Sequence, residues 1–341
     1  MSYSSELTYT PAWWVPGAHF QTLWGKLVRR APRIATRAER WATPDGDTLE
    51  IQRLEASGVS SGASPRLVVL HGLEGTIRSH YLRGILGQAQ RLGWAADVII
   101  FRGCNGEIPR ARRFYHSGET EDLDFVVDRI VREHPSQPIV LAGYSLGANV
   151  LLKWLGEQGA NLPAQVCAAA AVSTPFDLAR GSRHIERGFS RLYGWHFLRT
   201  LRAKALAKLR SEPGLYDEKR LRSARTLFEF DDAVTAPLHG FASAVDYYRR
   251  SSSVSFLDAV RCPTLLLSAY DDPFLPRDVL ESVAMLTKNN GWLTTDFTSH
   301  GGHVGFVGGS APWRPVYYAD QRVAAFLLSA VSRELALSTV V

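Results

Sequence analysis

One serine stands where a predicted strand meets a predicted helix. The sequence Gly-Tyr-Ser-Leu-Gly, residues 143–147, follows an apolar run and precedes a helical pattern. A tight turn of this kind strains the serine backbone and exposes the hydroxyl, while the two glycines avoid collisions with the neighbouring chain. The simpler interpretation of Ser145 is an N-cap, because a serine there can accept a hydrogen bond from an early helical N–H. The pattern itself is typical of a nucleophile, so other residues must distinguish the two.

A nucleophilic serine needs two partners. A histidine must take its proton, and a carboxylate must orient that histidine. In a strand–turn–helix site the three residues follow the chain order serine, acid, histidine. Asp271 and Asp272 end a late apolar run, and His300 and His303 follow the last one. Because both pairs come in that order at carboxyl ends of predicted strands, we expect a catalytic triad built on Ser145.

Two backbone N–H groups are candidates for stabilising an oxyanion. The residue after the nucleophile, Leu146, supplies one, where the helix N-terminus carries a partial positive charge. The loop His-Gly-Leu-Glu-Gly, residues 71–75, follows another buried run, and Leu73 is the best second donor by position. His71 is also a candidate base. Since the base is expected late in the chain, we expect His71 to stabilise its loop by hydrogen bonding.

A sheet has to position these residues. Apolar runs of strand length alternate with helical patterns and occupy residues 67–72, 95–101, 138–144, 164–173, 262–270 and 292–299. Strands that alternate with helices predict right-handed crossovers and a mostly parallel sheet flanked by helices. Asp45-Gly46, between two strand-like runs in residues 38–55, predicts a hairpin ahead of it. The small, polar residues 56–66 predict a loop.

The alternation is interrupted once. Residues 176–255 contain helical stretches and no evident strand, which predicts an inserted helical lid. We therefore expect an N-terminal extension with the first hairpin, the first half of a core, the lid and the second half of the core, at residues 1–60, 61–175, 176–255 and 256–341.

Composition indicates one folded chain of 341 residues, of which 45% are hydrophobic and 21% charged. The formal net charge of +6 weakly favours anionic surfaces or substrates. Cys104, Cys167 and Cys262 are far apart, so we expect reduced thiols in a cytoplasmic protein and no zinc site. We expect neither a signal peptide nor a membrane span. The chain also lacks nucleotide, dinucleotide and metalloprotease motifs, so no cofactor, metal or nucleic acid is expected.

The chain resembles the α/β-hydrolase superfamily, and specifically its YheT-like branch, the AB hydrolase family 4. The resemblance extends over nearly the whole chain and rests on the motifs GAHFQTLW, HGLEG, FRGCNGEIPRARRFYHSGETEDL, GYSLGANVLLKW, SAYDDPFLP and HGGHVGF. It implies the α/β-hydrolase fold, a serine-hydrolase triad and activity on acyl esters, with lipase-like or acyl-transfer activity in some relatives.

The resemblance also selects between the paired candidates. The block Gly-Gly-His-Val-Gly-Phe contains His303, and its two glycines let the loop present that histidine over the serine; His300 is then a loop or pocket residue. In the commoner superfamily arrangement the acid is followed by a variable residue, two apolar residues and a proline, which implies Asp272. Adjacent residues at a strand end point to opposite sides, which leaves Asp271 to solvent or to loop N–H groups.

Two other blocks are open to more than one interpretation. Residues 102–107, Arg-Gly-Cys-Asn-Gly-Glu, could contact substrate, but we expect them to pack the edge of the sheet. His116 and Asp122 invite comparison with the histidine–acid box of acyltransferase relatives. Their spacing is one residue too long, which leaves transfer open.

The expected function is hydrolysis of carboxylic esters, with short to medium acyl chains or lipid-like esters as substrates and an acyl-enzyme intermediate. Transfer of the acyl group to an alcohol would use the same intermediate. A binding protein that retains the fold without turnover is the alternative from another class. Dehalogenase chemistry would want an acid where Ser145 stands.

The predicted lid is strongly basic. Residues 180–225 contain thirteen Arg and Lys against four acids. An apolar stripe of helical spacing runs through Phe189, Tyr193, Phe197, Leu201, Ala205 and Leu209. We expect either a helix that lies on the sheet with its arginines in water, or an interfacial surface that makes transient contact with a membrane.

Overall fold

The strands form one large sheet and one small hairpin. The computed structural model describes residues 7–30, 32–56 and 64–338. Its strands are β1 (Arg37–Ala42), β2 (Thr48–Leu54), β3 (Arg66–Leu70), β4 (Ala95–Ile100), β5 (Ile139–Tyr144), β6 (Val166–Val172), β7 (Thr264–Ala269), β8 (Leu293–Thr298), β9 (Val307–Gly308) and β10 (Val316–Tyr317). Strands β1 to β8 make an eight-stranded sheet in the order β1-β2-β4-β3-β5-β6-β7-β8.

Helices cover the sheet and fill one long connection. They are α1 (Gly17–Leu27), α2 (His80–Arg91), α3 (Glu121–Glu133), α4 (Leu146–Gln158), α5 (Leu178–Ile185), α6 (Arg191–Ser211), α7 (Glu218–Ser223), α8 (Leu227–Phe230), α9 (Ala236–Leu238), α10 (Ala244–Ser251), α11 (Arg277–Leu286) and α12 (Tyr318–Ser338). A π-helical turn, Asp231–Thr235, separates α8 from α9. No helix of the described chain combines the length and the apolar composition needed to cross a membrane.

The predicted mostly parallel sheet is confirmed. Every neighbouring pair from β4 across to β8 is parallel. The two antiparallel pairs are β1–β2 and β2–β4, so β2 alone runs opposite to the other strands. All residues of β3 to β7 are buried, as expected for parallel strands covered by helices on both faces. The predicted hairpin forms β1 and β2 around Gly46, whose φ of +78° suits glycine. Of the predicted loop at 56–66, residues 57–63 lie outside the described chain.

The long connection between β6 and β7 is helical. It runs through α5 to α10 and has no strand among residues 173–263, all of which the structure describes. It contains an apolar cluster of its own, centred on Leu198, Ala205, Leu221, Phe230 and Val234. This segment matches the predicted helical content of residues 176–255, whereas its role as a lid stays a prediction.

Two features differ from the sequence expectations. Helix α1 lies in what was predicted only as an N-terminal extension. The predicted helical stripe is wrong at Phe189, because α6 begins at Arg191 and Phe189 lies in a short turn before it, with half of its surface exposed. Tyr193 to Leu209 do follow one face of α6, and Ala205 and Leu209 are buried there.

Candidate active site

A pocket lies where the carboxyl ends of the strands meet the helical connection. Ser145 and Leu146 line it from the turn between β5 and α4, and Leu73, Phe274 and His303 line it from loops. The helical connection supplies most of the apolar wall, with Phe197, Leu201, Leu227, Phe230, Val234 and Leu238. Open α/β sheets place ligands at this end of their strands, so the pocket is the candidate active site.

The turn between β5 and α4 explains the sequence pattern around Ser145. The serine has a left-handed backbone, with φ +53° and ψ −121°, which costs a non-glycine residue free energy. A Cβ on Gly147 would lie 2.5 Å from the carbonyl oxygen of His71, and a Cβ on Gly143 would lie 2.6 Å from that of Gly147. Only glycine therefore fits at positions 143 and 147.

Ser145, His303 and Asp272 form a continuous chain of hydrogen bonds. The Nε2 atom of His303 lies 2.9 Å from Ser145 Oγ, and its Nδ1 atom lies 2.8 Å from Asp272 Oδ2. Since a carboxylate only accepts hydrogen bonds, Nδ1–H donates to Asp272, which leaves Nε2 to accept from the serine hydroxyl. Asp272 is buried and also accepts from the N–H of Phe274 at 2.8 Å. The arrangement can move a proton from the serine to the histidine.

The two neighbouring candidates pair with each other. His300 Nδ1 lies 3.2 Å from Asp271 Oδ2, and the other oxygen of Asp271 accepts from the N–H of Gly302 at 2.9 Å. The His300 side chain is about two-thirds exposed. Asp271 thus meets a loop N–H, and this second pair lies beside the Ser145 chain without joining it.

Helix α1 holds the loop that carries His303. Thr22 Oγ1 accepts from the His303 N–H at 2.9 Å. The Gln21 amide spans Val307, accepting from its N–H at 2.7 Å and donating to its carbonyl at 3.1 Å. Gly302 has φ +59°, and a Cβ there would lie 2.4 Å from the carbonyl oxygen of Ala18. The motif GAHFQTLW, residues 17–24, therefore contributes to the site because it fixes the backbone of the loop that carries His303.

Leu146 and Leu73, the predicted oxyanion donors, both border the pocket. A Cβ on Gly72 would lie 3.1 Å from Ser145 Cβ, so the loop after β3 passes close to the serine. The amides of the residues before and after Leu73 donate to the hydroxyls of Tyr81 and Tyr115, at 3.0 and 2.9 Å. These bonds fix the loop on both sides of Leu73.

Sequence reasoning missed a charged group in the pocket wall. Lys204 Nζ, on α6, lies 2.7 Å from Glu74 Oε1, which also accepts from Tyr115 Oη at 2.8 Å. Glu74 has a left-handed backbone with φ +56°. The glutamate lies in the loop motif at 71–75, but its partner is 130 positions away, so no local pattern predicts the pair.

His71 makes the structural contacts expected of it. Its Nδ1 lies 2.7 Å from the carbonyl oxygen of Gly72, and its Nε2 accepts from the N–H of Phe101 at 3.1 Å. The ring is fully buried, and this burial lowers its pKa from 6.5 to about 4. A neutral imidazole with its proton on Nδ1 satisfies both bonds.

The block at 102–107 and the His116–Asp122 pair occupy different environments. Arg102 is buried and forms ion pairs with Asp122 at 2.6 Å, Asp45 at 3.0 Å and Asp47 at 3.3 Å. These contacts join the loop after β4 to the β1–β2 turn and to α3. His116 instead lines the pocket. Asp122 is thus engaged by arginine rather than placed to orient a histidine.

His116, Glu119 and His239 are the one group among the described residues whose ligand atoms could surround a metal ion, within 4.8 Å of one another. Nδ1 of His116 accepts from the Gly118 N–H at 3.1 Å, so its neutral ring carries the proton on Nε2 and offers no lone pair there. Burial raises the pKa of Glu119 to about 7, which keeps much of it neutral near that pH. Arg113 Nη2, 3.4 Å from Glu119, adds positive charge. This donor set does not favour a cation.

Comparison with known proteins agrees with this architecture. A family model described as the alpha/beta hydrolase fold matches residues 65–310. The esterase Pf2001 of Pyrococcus furiosus has a similar structure, with a TM-score of 0.56 and 16% identity over 87% of this chain and 92% of its own. At that identity the likeness concerns the fold alone.

Curated relatives are similar over most of the chain. YheT of Escherichia coli K12, whose name carries the word esterase, is 40% identical over 323 residues, 94% of this chain and 93% of its own. Phospholipase ABHD3 of Mus musculus is 30% identical over 92% of this chain and 76% of its own. Monoacylglycerol lipase of Saccharomyces cerevisiae is 32% identical over 72% of this chain and 56% of its own. The chain belongs to the α/β-hydrolase family, on the YheT-like branch, and is a hydrolase of the esterase and lipase type.

Proposed function

We propose that the protein hydrolyses carboxylic esters with Ser145 as nucleophile, His303 as base and Asp272 as the residue that orients His303. The observation that carries this proposal is the unbroken chain Asp272–His303–Ser145, with distances of 2.8 and 2.9 Å. The Ser145 side chain makes no capping hydrogen bond to α4, so the alternative interpretation as an N-cap does not account for its hydroxyl.

The steps follow from the protonation states. Ser145 Oγ attacks the ester carbonyl while its proton moves to His303 Nε2, and the N–H groups of Leu146 and Leu73 stabilise the oxyanion. The tetrahedral intermediate collapses, His303 gives the proton to the leaving alcohol, and an acyl-enzyme ester remains on Ser145. Water, deprotonated by His303, then attacks that ester and releases the carboxylic acid. Asp272 stabilises the imidazolium that forms in each half of the reaction.

The lining of the pocket favours the acyl chain as the buried part of the ester substrate. Its wall over Ser145 is built from apolar side chains of α6, α8 and the π-helical turn, among them Phe197, Leu201, Phe230 and Val234. An apolar wall favours an alkyl chain over a charged acid component. In this proposal the helical connection of residues 176–255 acts as the lid, and the substrates are short to medium acyl esters or lipid-like esters.

The test is hydrolysis of p-nitrophenyl esters of increasing chain length by wild type and by Ser145→Ala. The variant should fold and lose turnover by on the order of 10³-fold or more, because only binding and oxyanion stabilisation remain. A fluorophosphonate probe should label the wild type and leave Ser145→Ala unlabelled. Ser182→Ala is the matched control, since Ser182 lines the same pocket but donates its hydroxyl to the Ala179 carbonyl. Equal labelling of Ser145→Ala and wild type would exclude the nucleophile.

Product analysis separates hydrolysis from transfer. With an alcohol added to the assay, the proposal expects the free acid as the main product, because water resolves the acyl-enzyme. A transesterified product that replaces the acid would assign the protein to acyl transfer instead, with the same residues acting on the serine.

A further inference from the structure

Two acid-free stretches of the chain meet on the surface beside the pocket. Residues 7–38 contain five Arg and Lys and no Asp or Glu, and residues 187–211 contain seven Arg and Lys and no Asp or Glu. The first stretch includes α1 and the second includes α6. A soluble surface normally intersperses both signs of charge, so this local excess needs a physical reason.

Contacts at both ends of α1 join the two stretches. The ring of His19 lies 4.7 Å from that of Phe189, and its Nδ1 lies 3.3 Å from Tyr193 Oη. Nearly two turns further along α1, Lys26 Nζ lies 3.5 Å from His196 Nε2. The outer faces of α1 and α6 therefore form one continuous patch, here called the α1–α6 surface.

The α1–α6 surface combines exposed apolar and cationic side chains. Its exposed apolar side chains are Phe20, Leu27 and Val28 at α1 and Phe189, Leu192 and Trp195 at α6, each more than half exposed. Exposed cations interleave with them, namely Lys26, Arg30, Arg187, Arg191 and Arg199. Isolated exposed apolar residues are ordinary, whereas a cluster of this kind marks a docking surface.

The pocket stripe and this surface use different faces of α6. Tyr193, Phe197 and Leu201 are spaced by four and turn inward, and the last two line the pocket. Leu192 and Trp195 are spaced by three on the outer side. Burial of the inner stripe thus leaves the outer apolar residues uncovered in the monomer.

Aromatic rings connect the α1–α6 surface with the candidate active site. Phe189 and Tyr193 are 6.0 Å apart between ring centroids, Tyr193 and Phe274 are 4.9 Å apart, and Phe274 lies 4.1 Å from the ring of His303. The patch therefore borders the pocket wall. A surface that passes a substrate from a membrane to the pocket has to lie beside the pocket in this way.

From these observations we propose that the α1–α6 surface docks on anionic phospholipid bilayers. The occupant is a bilayer because tryptophan and other bulky apolar side chains interspersed with cations match an interface whose headgroups are negative and whose boundary region is apolar. The two stretches also contain no Asp or Glu, whose carboxylates such headgroups would repel. Docking goes beyond the proposed ester hydrolysis, and its measurement needs no turnover.

The experiment is co-sedimentation of the full chain with vesicles of phosphatidylglycerol or of phosphatidylcholine. Ser145→Ala is used throughout, so that hydrolysis cannot alter the lipid. We expect binding to phosphatidylglycerol vesicles and much weaker binding to phosphatidylcholine. Raising NaCl from about 0.1 M to about 1 M should release the protein, because the screening length falls from about 10 Å to about 3 Å.

Two matched variants locate the surface. Phe20→Ser with Leu192→Ser and Trp195→Ser should lower partitioning onto phosphatidylglycerol about tenfold or more, since three apolar anchors are lost. The control, Met285→Ser with Leu286→Ser and Trp292→Ser, removes exposed apolar residues at the carboxyl end of α11 and directly before β8, outside the α1–α6 surface, and should bind like the parent. In an otherwise wild-type chain, both sets should keep activity on a soluble ester and the unfolding temperature.

Several results would overturn the proposal: no binding to phosphatidylglycerol, equal binding to both lipids, or equal loss in the two variant sets. If the parent is instead a dimer in solution and the α1–α6 substitutions make it a monomer without changing lipid binding, the surface is a protein interface. Loss of lipid binding with intact ester turnover separates this proposal from the proposed function.

Discussion

The Lys204 ammonium lies 2.7 Å from the Glu74 carboxylate and thereby joins helix α6 to the loop after β3. Both side chains are largely buried, and Glu74 directly follows Leu73, the proposed oxyanion donor. Because the left-handed backbone of Glu74 has to be held by its surroundings, this ion pair and Tyr115 together position the Leu73 amide. The ion pair in this way links the helical connection to the loop that carries Leu73.

Removing Lys204 should therefore lower catalysis. We expect Lys204→Met and Glu74→Gln each to reduce kcat for a soluble ester about tenfold, which corresponds to about 1.4 kcal/mol of transition-state stabilisation. The double variant should be little worse than either single variant, because the two substitutions break one interaction. Arg210→Met, an exposed cation on the same helix, is the control. Additive losses, or a change confined to KM, would contradict a positioning role.

The two histidines of the last loop should differ sharply. His303→Ala should lose on the order of 10³-fold or more in kcat, since no base remains within reach of Ser145. His300→Ala should stay within about tenfold of wild type, because an exposed pair of this kind contributes little. Steady-state rates on one p-nitrophenyl ester, with circular dichroism to verify folding, decide the matter. The reverse ranking would assign the base to His300.

The adjacent aspartates offer a second comparison. Asp272→Asn should lose on the order of 10³-fold or more in kcat, because an amide no longer stabilises the imidazolium of His303. Asp271→Asn should act mainly on stability, by about 1 kcal/mol, since it weakens the bonds to His300 and Gly302. Turnover and thermal unfolding are to be measured for both variants. A folded Asp271→Asn protein that is the less active of the two would refute the choice of Asp272.

Buried histidine should make the protein sensitive to acid. The pKa of His71 is about 4 in the fold against an ordinary 6.5, so the unfolded chain binds a proton in this interval that the native ring does not. The contribution of His71 to the free energy of unfolding should therefore be complete above pH 6.5. It should be lost as the pH drops towards 4, which lowers the free energy of unfolding by up to about 3 kcal/mol.

The variant His71→Asn isolates this contribution. It should be less stable than wild type at pH 7, because the Phe101 N–H loses its partner, and its stability should change less between pH 6.5 and pH 4. Other buried histidines, His80, His116 and His239, also have lowered pKa values and act in the same direction, so the quantity to compare is the difference between the two proteins in urea titrations. Parallel curves over this range would show that His71 does not carry the effect.

Local patterns in the sequence determined the class of fold and the residues to consider. Alternating apolar runs and helical periods specify a parallel sheet because such strands are buried on both faces. The Gly-Tyr-Ser-Leu-Gly turn is also a local pattern. The backbone that excludes a Cβ at Gly143 is that of Gly147 and Ala148, whereas the backbone that excludes one at Gly147 belongs to Leu70 and His71 at the end of β3. The order of serine, acid and histidine along the chain narrowed the remaining candidates to two pairs.

Only the tertiary structure decided how those residues meet. Asp272 faces His303 and Asp271 faces His300 because of the backbone direction after β7. Amino-acid composition and hydrophobic periodicity do not predict that direction. Thr22 supports His303 across 281 positions, and Lys204 meets Glu74 across 130. Contacts between distant segments depend on how the elements pack, so their partners cannot be read from either segment alone. The same packing turned Tyr193, Phe197 and Leu201 inward and left Leu192 and Trp195 exposed.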